Sequence, residues 1–216
     1  MTTPTHLAAP TTETWDWTED YVSPSDAVRT ARDEAIVNGR VPVSTGVVAT
    51  LATITKAMGA TNVVEVGTQH GASGMAFLEA MGTNGVLTSI DAETENQLDA
   101  RKVFTDAGVQ NSRFRLIAGS PIDVLPKLRD GAYDIAFING DKLEYVEYIA
   151  AAGRLLRPGG LLIVHDVLWF NRVPNADDES DETIIIREAL EAINLSEEYT
   201  QAVLPVGNGL LLASKN

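Results

Sequence analysis

The chain has 216 residues, with 30 Asp plus Glu against 16 Lys plus Arg, three His and no Cys, giving a formal charge of −14 at neutral pH. That length can bury roughly 70% of the unfolded surface in one compact domain, and the lack of cysteine excludes a disulfide framework, a thiolate nucleophile and a cysteine-ligated metal centre. The acidic balance argues against nucleic acid and anionic membranes as partners, since both are bound chiefly through Lys and Arg.

Residues 1–10 carry no basic region followed by a long apolar run, so they do not read as a secretory signal. No apolar stretch approaches the ~20 residues that span a bilayer. A soluble, cytoplasmic protein is expected. The first 28 residues hold Glu13, Asp16, Glu19, Asp20 and Asp26 without a Lys or Arg, and a second acidic cluster follows at Asp177, Asp178, Glu179, Asp181 and Glu182. The second reads as a solvated loop leading into a helix N-terminus. In the first, the interleaved Trp15, Trp17 and Tyr21 imply that residues 1–23 dock, on a partner subunit or at the mouth of a site. His6 is given no role.

Helical spacing over 24–38 and 45–58 predicts two helices before the first strand. From Asn62 onward, short β-branched runs alternate with longer amphipathic segments. Strands are expected at 62–66, 85–90, 113–118, 133–138 and 160–164, with helices at 72–81, 92–107, 121–128 and 144–156. Continuous apolar strands separated by helices are the pattern of a parallel sheet covered on both faces, an α/β doubly wound domain. A helix over 181–193 then leads to runs at 199–204 and 209–214 flanking Pro205 to Asn208, which predicts an antiparallel hairpin at the end of a mostly parallel, seven-stranded sheet. Arg157, Pro158, Gly159 and Gly160 read as a helix stop and turn.

The first strand runs into Glu65, Val66, Gly67, Thr68, Gln69, His70, Gly71, Ala72 and Ser73. In doubly wound folds this strand-to-helix turn is the usual cofactor cradle. Gly67 and Gly71 allow close backbone approach, and Ser73 stands near the helix start. Gln69 occupies the position where a dinucleotide turn needs its second glycine, so a pyrophosphate fits poorly. Glu65 favours a cationic ligand instead, and Asp91, at the end of the second strand, is placed to accept bonds from a ribose diol. His70 reads as a solvent-facing turn residue.

Taken together, Val64–Ser73 (VEVGTQHGAS), Ser89–Asp91 (SID), Ala118–Pro126 (AGSPIDVLP), Tyr133–Tyr145 (YDIAFINGDKLEY), Leu155–Trp169 (LLRPGGLLIVHDVLW) and Leu204–Lys215 (LPVGNGLLLASK) resemble class I S-adenosylmethionine-dependent methyltransferases. More narrowly, they resemble the O-methyltransferases that include the catechol and caffeoyl-CoA enzymes. The resemblance covers residues 24–216, which it implies form one Rossmann-like methyltransferase domain behind the acidic, aromatic segment 1–23. It implies that Glu65, Gly67, Thr68, Gly71 and Ser73 line the methionine end of the cofactor, that Asp91 holds the ribose, that Gly119 and Ser120 lie near the adenine, and that Val43 and Ser44 close over it. Asn139 would bond the cofactor amine or a substrate hydroxyl. It also implies a homodimer, a small-molecule acceptor such as a catechol-like diol, Mg²⁺, and a Lys that removes the phenolic proton.

The metal positions depart from the family pattern. Where the family has an Asp in F-I-D-A-D-K, this chain has Asn139, and where it has D-N-V-L-W, this chain has His165 and Asp166. One carboxylate, one amide and one imidazole suit Mg²⁺ poorly and a transition metal better. Three readings stand at this point: a retained site at Asn139, His165 and Asp166 with altered metal preference, metal-free transfer with Lys142 or His165 as catalytic base, or loss of catalysis in a cofactor-binding paralogue. An NAD(P)-dependent oxidoreductase is a more distant alternative. Trp169 and Phe170 form a wall for an aromatic acceptor or pack in the core.

Overall fold

The structure is a computed structural model and describes residues 10–216. His6 and the residues weighed as a signal, apart from Pro10, lie outside the described residues.

The apolar runs become β1 (Asn62–Val66), β2 (Val86–Asp91), β3 (Phe114–Ala118), β4 (Tyr133–Ile138), β5 (Leu156–His165), β6 (Tyr199–Leu204) and β7 (Leu210–Lys215). They form one sheet in the order β3-β2-β1-β4-β5-β7-β6. The first five pair in parallel, and β7 lies antiparallel between β5 and β6. The helices are α1 (Thr12–Glu19), α2 (Asp26–Val37), α3 (Thr45–Met58), α4 (Ala72–Ala80), α5 (Thr94–Asp106), α6 (Pro121–Val124), α7 (Tyr145–Leu155) and α8 (Asp181–Leu195). Among the described residues, no helix is long and apolar enough to cross a membrane.

Successive strand residues point to opposite faces, which makes two cores. Val63, Leu87, Phe137, Ile163 and Leu210 pack with Leu51 of α3, Phe77 of α4 and Phe104 of α5. Val64, Val66, Ile138, Leu162, Val164 and Leu211 pack with Tyr145 and Tyr148 of α7 and Ile186 of α8. By the same alternation Glu65 shares a face with Val63 and is driven under α4. The strand order reverses between β1 and β4, whose last residues Val66 and Ile138 are register partners. In such sheets the crevice outside the carboxyl ends at this switch point is the ligand site.

Three elements differ from expectation. Residues 157–160 are not a turn before the strand but part of β5. The β4–β5 register runs from Tyr133↔Leu156 to Ile135↔Leu161, so these residues are taken up as an irregularity in the ladder, pinned by Arg157 Nε donating to Asp134 Oδ1 at 2.6 Å. The helix expected over 121–128 is α6 followed by a 3₁₀ turn at Leu125–Lys127, because Pro126 removes a backbone donor. The acidic N-terminal segment contains α1, which has no buried residue and is capped by Thr11 Oγ1 accepting from Thr14 N. At its end Glu19 accepts from Gly46 N at 2.8 Å and Gly207 N at 2.6 Å, which ties α1 to the start of α3 and to the β6–β7 turn. The second acidic cluster behaves as expected, with Asp181 and Glu182 in the first turn of α8.

Candidate active site

The turn after β1 is shaped by its glycines. Gly67 adopts φ +92°, and a Cβ there would lie 2.2 Å from the carbonyl oxygen of Asn139. Gly71 has φ +86° and sits against Ala100 and Phe104 of α5. Its place before α4 leaves that helix without a side-chain cap, so the first N–H groups of α4 are free to meet an anionic group. The close approach of α5 also buries His70, contrary to the solvent-facing reading. His70 is 4% exposed, with Nε2 3.1 Å from Asn38 Nδ2 and 3.5 Å from Asp99 Oδ2.

Glu65 is fully buried beneath this turn rather than open to a ligand. Ser73 Oγ donates to Oε1 and Ser89 Oγ to Oε2, each at 2.5 Å. Thr68 Oγ1 then lies 2.6 Å from Ser89 Oγ and accepts from Gln97 Nε2 at 2.8 Å. Burial pushes the Glu65 carboxyl up to about 7, against the pull of the two serine hydroxyls and with a further push from Asp91. Glu65, Ser73 and Thr68 thus form the underside of the turn.

A ledge runs along the strand ends from there. Asp91 accepts from Gln69 N at 2.9 Å, from Glu93 N at 2.9 Å and from Asn96 Nδ2 at 3.1 Å on each oxygen. Its backbone carbonyl accepts from Gly119 N at 2.9 Å, which places Gly119 and the exposed Ser120 beside it. Val43 buries its side chain in the core, and its carbonyl accepts from Arg32 Nε at 3.0 Å.

On the other side of Asn139 opens a cavity of about 710 Å³, bounded by Trp15 and Glu19 of α1, Arg32 of α2, Val41, Pro42, Ser44, Thr45, Gln69, Asn139 to Lys142, His165, Asp166, Trp169, Phe170, Glu182, Gly207 and Asn208. It contains every sequence-predicted metal and base residue, Asn139, Lys142, His165 and Asp166, together with Gln69 from the turn after β1. Glu65, Asp91, Gly119 and Ser120 lie outside it. The N-terminal aromatic segment therefore stands at the mouth of this site through Trp15 and Glu19. Trp169 and Phe170 form one wall, their rings 5.2 Å apart, and Trp169 Nε1 is buried without a hydrogen-bond partner among the described residues.

At the floor, Asn139 Oδ1 lies 2.8 Å and Asp166 Oδ1 3.4 Å from His165 Nδ1. Two acceptors converge on that nitrogen, so the proton sits there and Nε2 keeps its lone pair. Burial drives the His165 pKa down to about 4, with Asp166 opposing and Lys142 reinforcing the shift, so the imidazole is neutral at physiological pH. Lys142 Nζ is 2.9 Å from Asp166 Oδ2 and donates to Gly140 O at 3.2 Å. It also lies 4.9 Å from the ring centre of Tyr145 and 5.6 Å from that of Trp169. Burial disfavours its charge, but Tyr145 and Asp166 outweigh that and hold the pKa above the ordinary lysine value. Asp166 is in turn pulled below the usual carboxylate range, since His165, Lys142 and the Asn208 amide outweigh its burial. It takes a left-handed φ of +62° and accepts from Asn208 Nδ2 at 3.1 Å.

The donors expected for a metal do come together, but they do not fit one. The Asn139 amide oxygen is spent on His165, and the one carboxylate is already neutralised by an ammonium. Mg²⁺ needs several hard oxygen ligands with charge to spare. Among the described residues, no group of three His, Asp or Glu could hold a metal ion.

Sequence reasoning missed Glu19, Arg32 and the Lys142–Asp166 pairing. Glu19 reaches Gly207 across 188 positions of chain, and nothing local signals such a contact. Asn208 lay within the LPVGNGLLLASK motif and was open to notice there.

Residues 28–216 match the family model described as O-methyltransferase. A protein of Mycobacterium sp. (strain JLS) that carries an O-methyltransferase assignment is 38% identical over 198 residues, covering 92% of this chain and 90% of that one. Among solved structures, a protein from Corynebacterium glutamicum is 29% identical with a TM-score of 0.85 over 92% of this chain and 94% of its own. The O-methyltransferase TomG from Streptomyces achromogenes, solved in complex with S-adenosylmethionine, has the same fold at a TM-score of 0.85 and 24% identity, over 94% of this chain and 98% of its own. With a family model matching nearly the whole chain and a relative at this identity, the chain belongs to the O-methyltransferase family.

Proposed function

We propose that this chain transfers a methyl group from S-adenosylmethionine to a hydroxyl oxygen of a small aromatic acceptor, without a divalent metal and with His165 as the base. The observation that carries the reading is the glycine-shaped turn at the β1–β4 switch point, which packs against Asn139 beside a cavity whose floor presents the free Nε2 of His165. When bound, S-adenosylmethionine supplies an electrophilic methyl on a sulfonium sulfur.

The chain's own groups divide the work. The uncapped start of α4, beside Gly67, Gly71 and Ser73, takes the carboxylate end of the methionyl group. Asp91 takes the ribose diol in place of its two long Asn96 contacts, and Gly119 and Ser120 border the adenine. His165 Nε2 accepts the acceptor's hydroxyl proton as that oxygen takes the methyl. The Lys142 ammonium lines the same cavity and stabilises the developing phenolate. Of the two base candidates only His165 has a lone pair to offer, because Lys142 is held protonated. Trp169 and Phe170 orient an aromatic ring.

A homodimer and a cytoplasmic location belong to the same reading. For the dimer, the support is the aromatic pair of Trp17 on α1 and Tyr21 just after it, 64% and 71% exposed with ring centres 5.1 Å apart.

The test is transfer of a labelled methyl group to a panel of catechols and hydroxybenzoates after exhaustive chelation. Transfer that His165→Ala abolishes supports the reading. Cofactor binding with no transfer to any hydroxyl compound would instead make the chain a binding protein without catalysis.

A further inference from the structure

We propose that Arg32 is a carboxylate-binding residue of the active-site cavity. Arg32 lies on α2 and lines the same wall as Pro42 and Ser44. Its Nε is spent on the Val43 carbonyl at 3.0 Å, which fixes the plane of the guanidinium. Neither terminal amino group has a hydrogen-bond or ion-pair partner among the described residues. Other half-buried arginines differ. Arg113, Arg154 and Arg187 spend their terminal amino groups on backbone carbonyls.

The acids around the cavity do not supply the missing partner. Glu19 accepts from two backbone N–H groups, Asp166 from Lys142 and Asn208, and Asp141 from Leu143 N. Glu182 sits in the first turn of α8, where the helix dipole favours it. In a chain with 30 acids and 16 bases, an arginine that faces a cavity with both terminal amino groups open is a fork without its carboxylate. Guanidinium geometry matches a carboxylate through two parallel N–H bonds, which an ammonium does not reproduce.

Two carboxylates are candidates: the methionyl carboxylate of the cofactor, which Arg32 would share with the start of α4, and a carboxylate on an aromatic acceptor. The proposal deepens the methyltransferase reading and rests on it for the cofactor half. The experiment is isothermal titration of wild type, Arg32→Gln and Arg32→Lys. The ligands are S-adenosylhomocysteine, its decarboxylated analogue, 3,4-dihydroxybenzoate and 3,4-dihydroxybenzamide, the last two on both loaded and unloaded protein. Melting temperatures confirm that the variants fold.

Arg32→Gln is expected to weaken one carboxylate ligand by at least about tenfold while its uncharged counterpart binds as before, and Arg32→Lys is expected to restore part of the loss. A selective loss with S-adenosylhomocysteine assigns the carboxylate to the cofactor, and a selective loss with the benzoate assigns it to the acceptor. Equal losses for charged and uncharged partners would mean that Arg32 only positions the Val43 segment, and unchanged affinities would mean that it binds nothing; either overturns the proposal. If wild type binds no S-adenosylhomocysteine, the methyltransferase reading fails, and Arg32 is judged on the benzoate and benzamide pair with unloaded protein.

Discussion

Asn139 Oδ1 accepts a hydrogen bond from His165 Nδ1 at 2.8 Å, at positions where the family resemblance expects metal ligands. The amide fixes which imidazole nitrogen carries the proton and leaves the other facing the cavity. Substituting His165 by Ala is expected to lower kcat roughly 10²- to 10⁴-fold with S-adenosylhomocysteine affinity unchanged. Single-turnover kinetics beside equilibrium binding would check this; a variant with full activity would remove His165 from the mechanism.

The pH profile carries a separate expectation. Because burial holds the folded-state pKa of His165 near 4, its base form persists as pH falls. The rate with a saturating acceptor should stay level well below the ordinary imidazole range and drop only on approach to about 4. A limb centred near 6.5 would show an imidazole with ordinary solvation.

Lys142 and Asp166 form a pair with side chains 11% and 18% exposed. Removing one partner leaves the other buried and uncompensated, so Asp166→Asn should destabilise the fold by roughly 3–5 kcal/mol. The double variant Lys142→Met/Asp166→Asn should recover much of that. Asn is the apt replacement because it tolerates the left-handed backbone of Asp166. A double-mutant cycle in urea measures the coupling, and strictly additive losses would mean that the pair contributes nothing.

Glu65 makes stability depend on pH with a definite sign. Burial raises its carboxyl to about 7 in the fold from an ordinary 4.5, so between those values the folded state holds the extra proton. Stability from this group is present below about 4.5 and is lost as pH rises through about 7, by roughly 3 kcal/mol. Glu65→Gln should remove most of that loss. Urea unfolding at pH 5 and pH 8 would show the variant gaining on wild type at the higher pH, whereas an equal difference at both would contradict the assignment.

The metal question has its own readout. With the Asn139 oxygen bonded to His165 and Asp166 paired to Lys142, Mg²⁺ or Mn²⁺ should leave the melting temperature unmoved and chelation should leave turnover unchanged. A rise in melting temperature that needs Asp166 would restore the ion.

Much of this was legible in the sequence because burial on both faces forces it. β1, β2 and β4 are short β-branched or apolar-rich runs beside glycine, and the turn at Gly67 and Gly71 announces a close approach by its residue types alone. α1 escaped notice because it buries nothing and is held by a cap and by two bonds from Glu19 to distant backbone. His70 looked like a turn residue because the packing of α5 over Gly71 has no local mark. The charge state of Lys142 depends on Asp166, 24 positions away, and reverses the role that its place after β4 suggests. The absence of cysteine and the departures at Asn139 and His165 did point to the residues that meet on the cavity floor.

The most direct measurement is calorimetric titration of S-adenosylmethionine into the metal-free protein, with Asp91→Ala as the comparison. Saturable binding at one site per chain, lost or severely weakened in the variant, is the expected result. Wild-type protein that takes up no S-adenosylmethionine at millimolar concentration would contradict the account at its base.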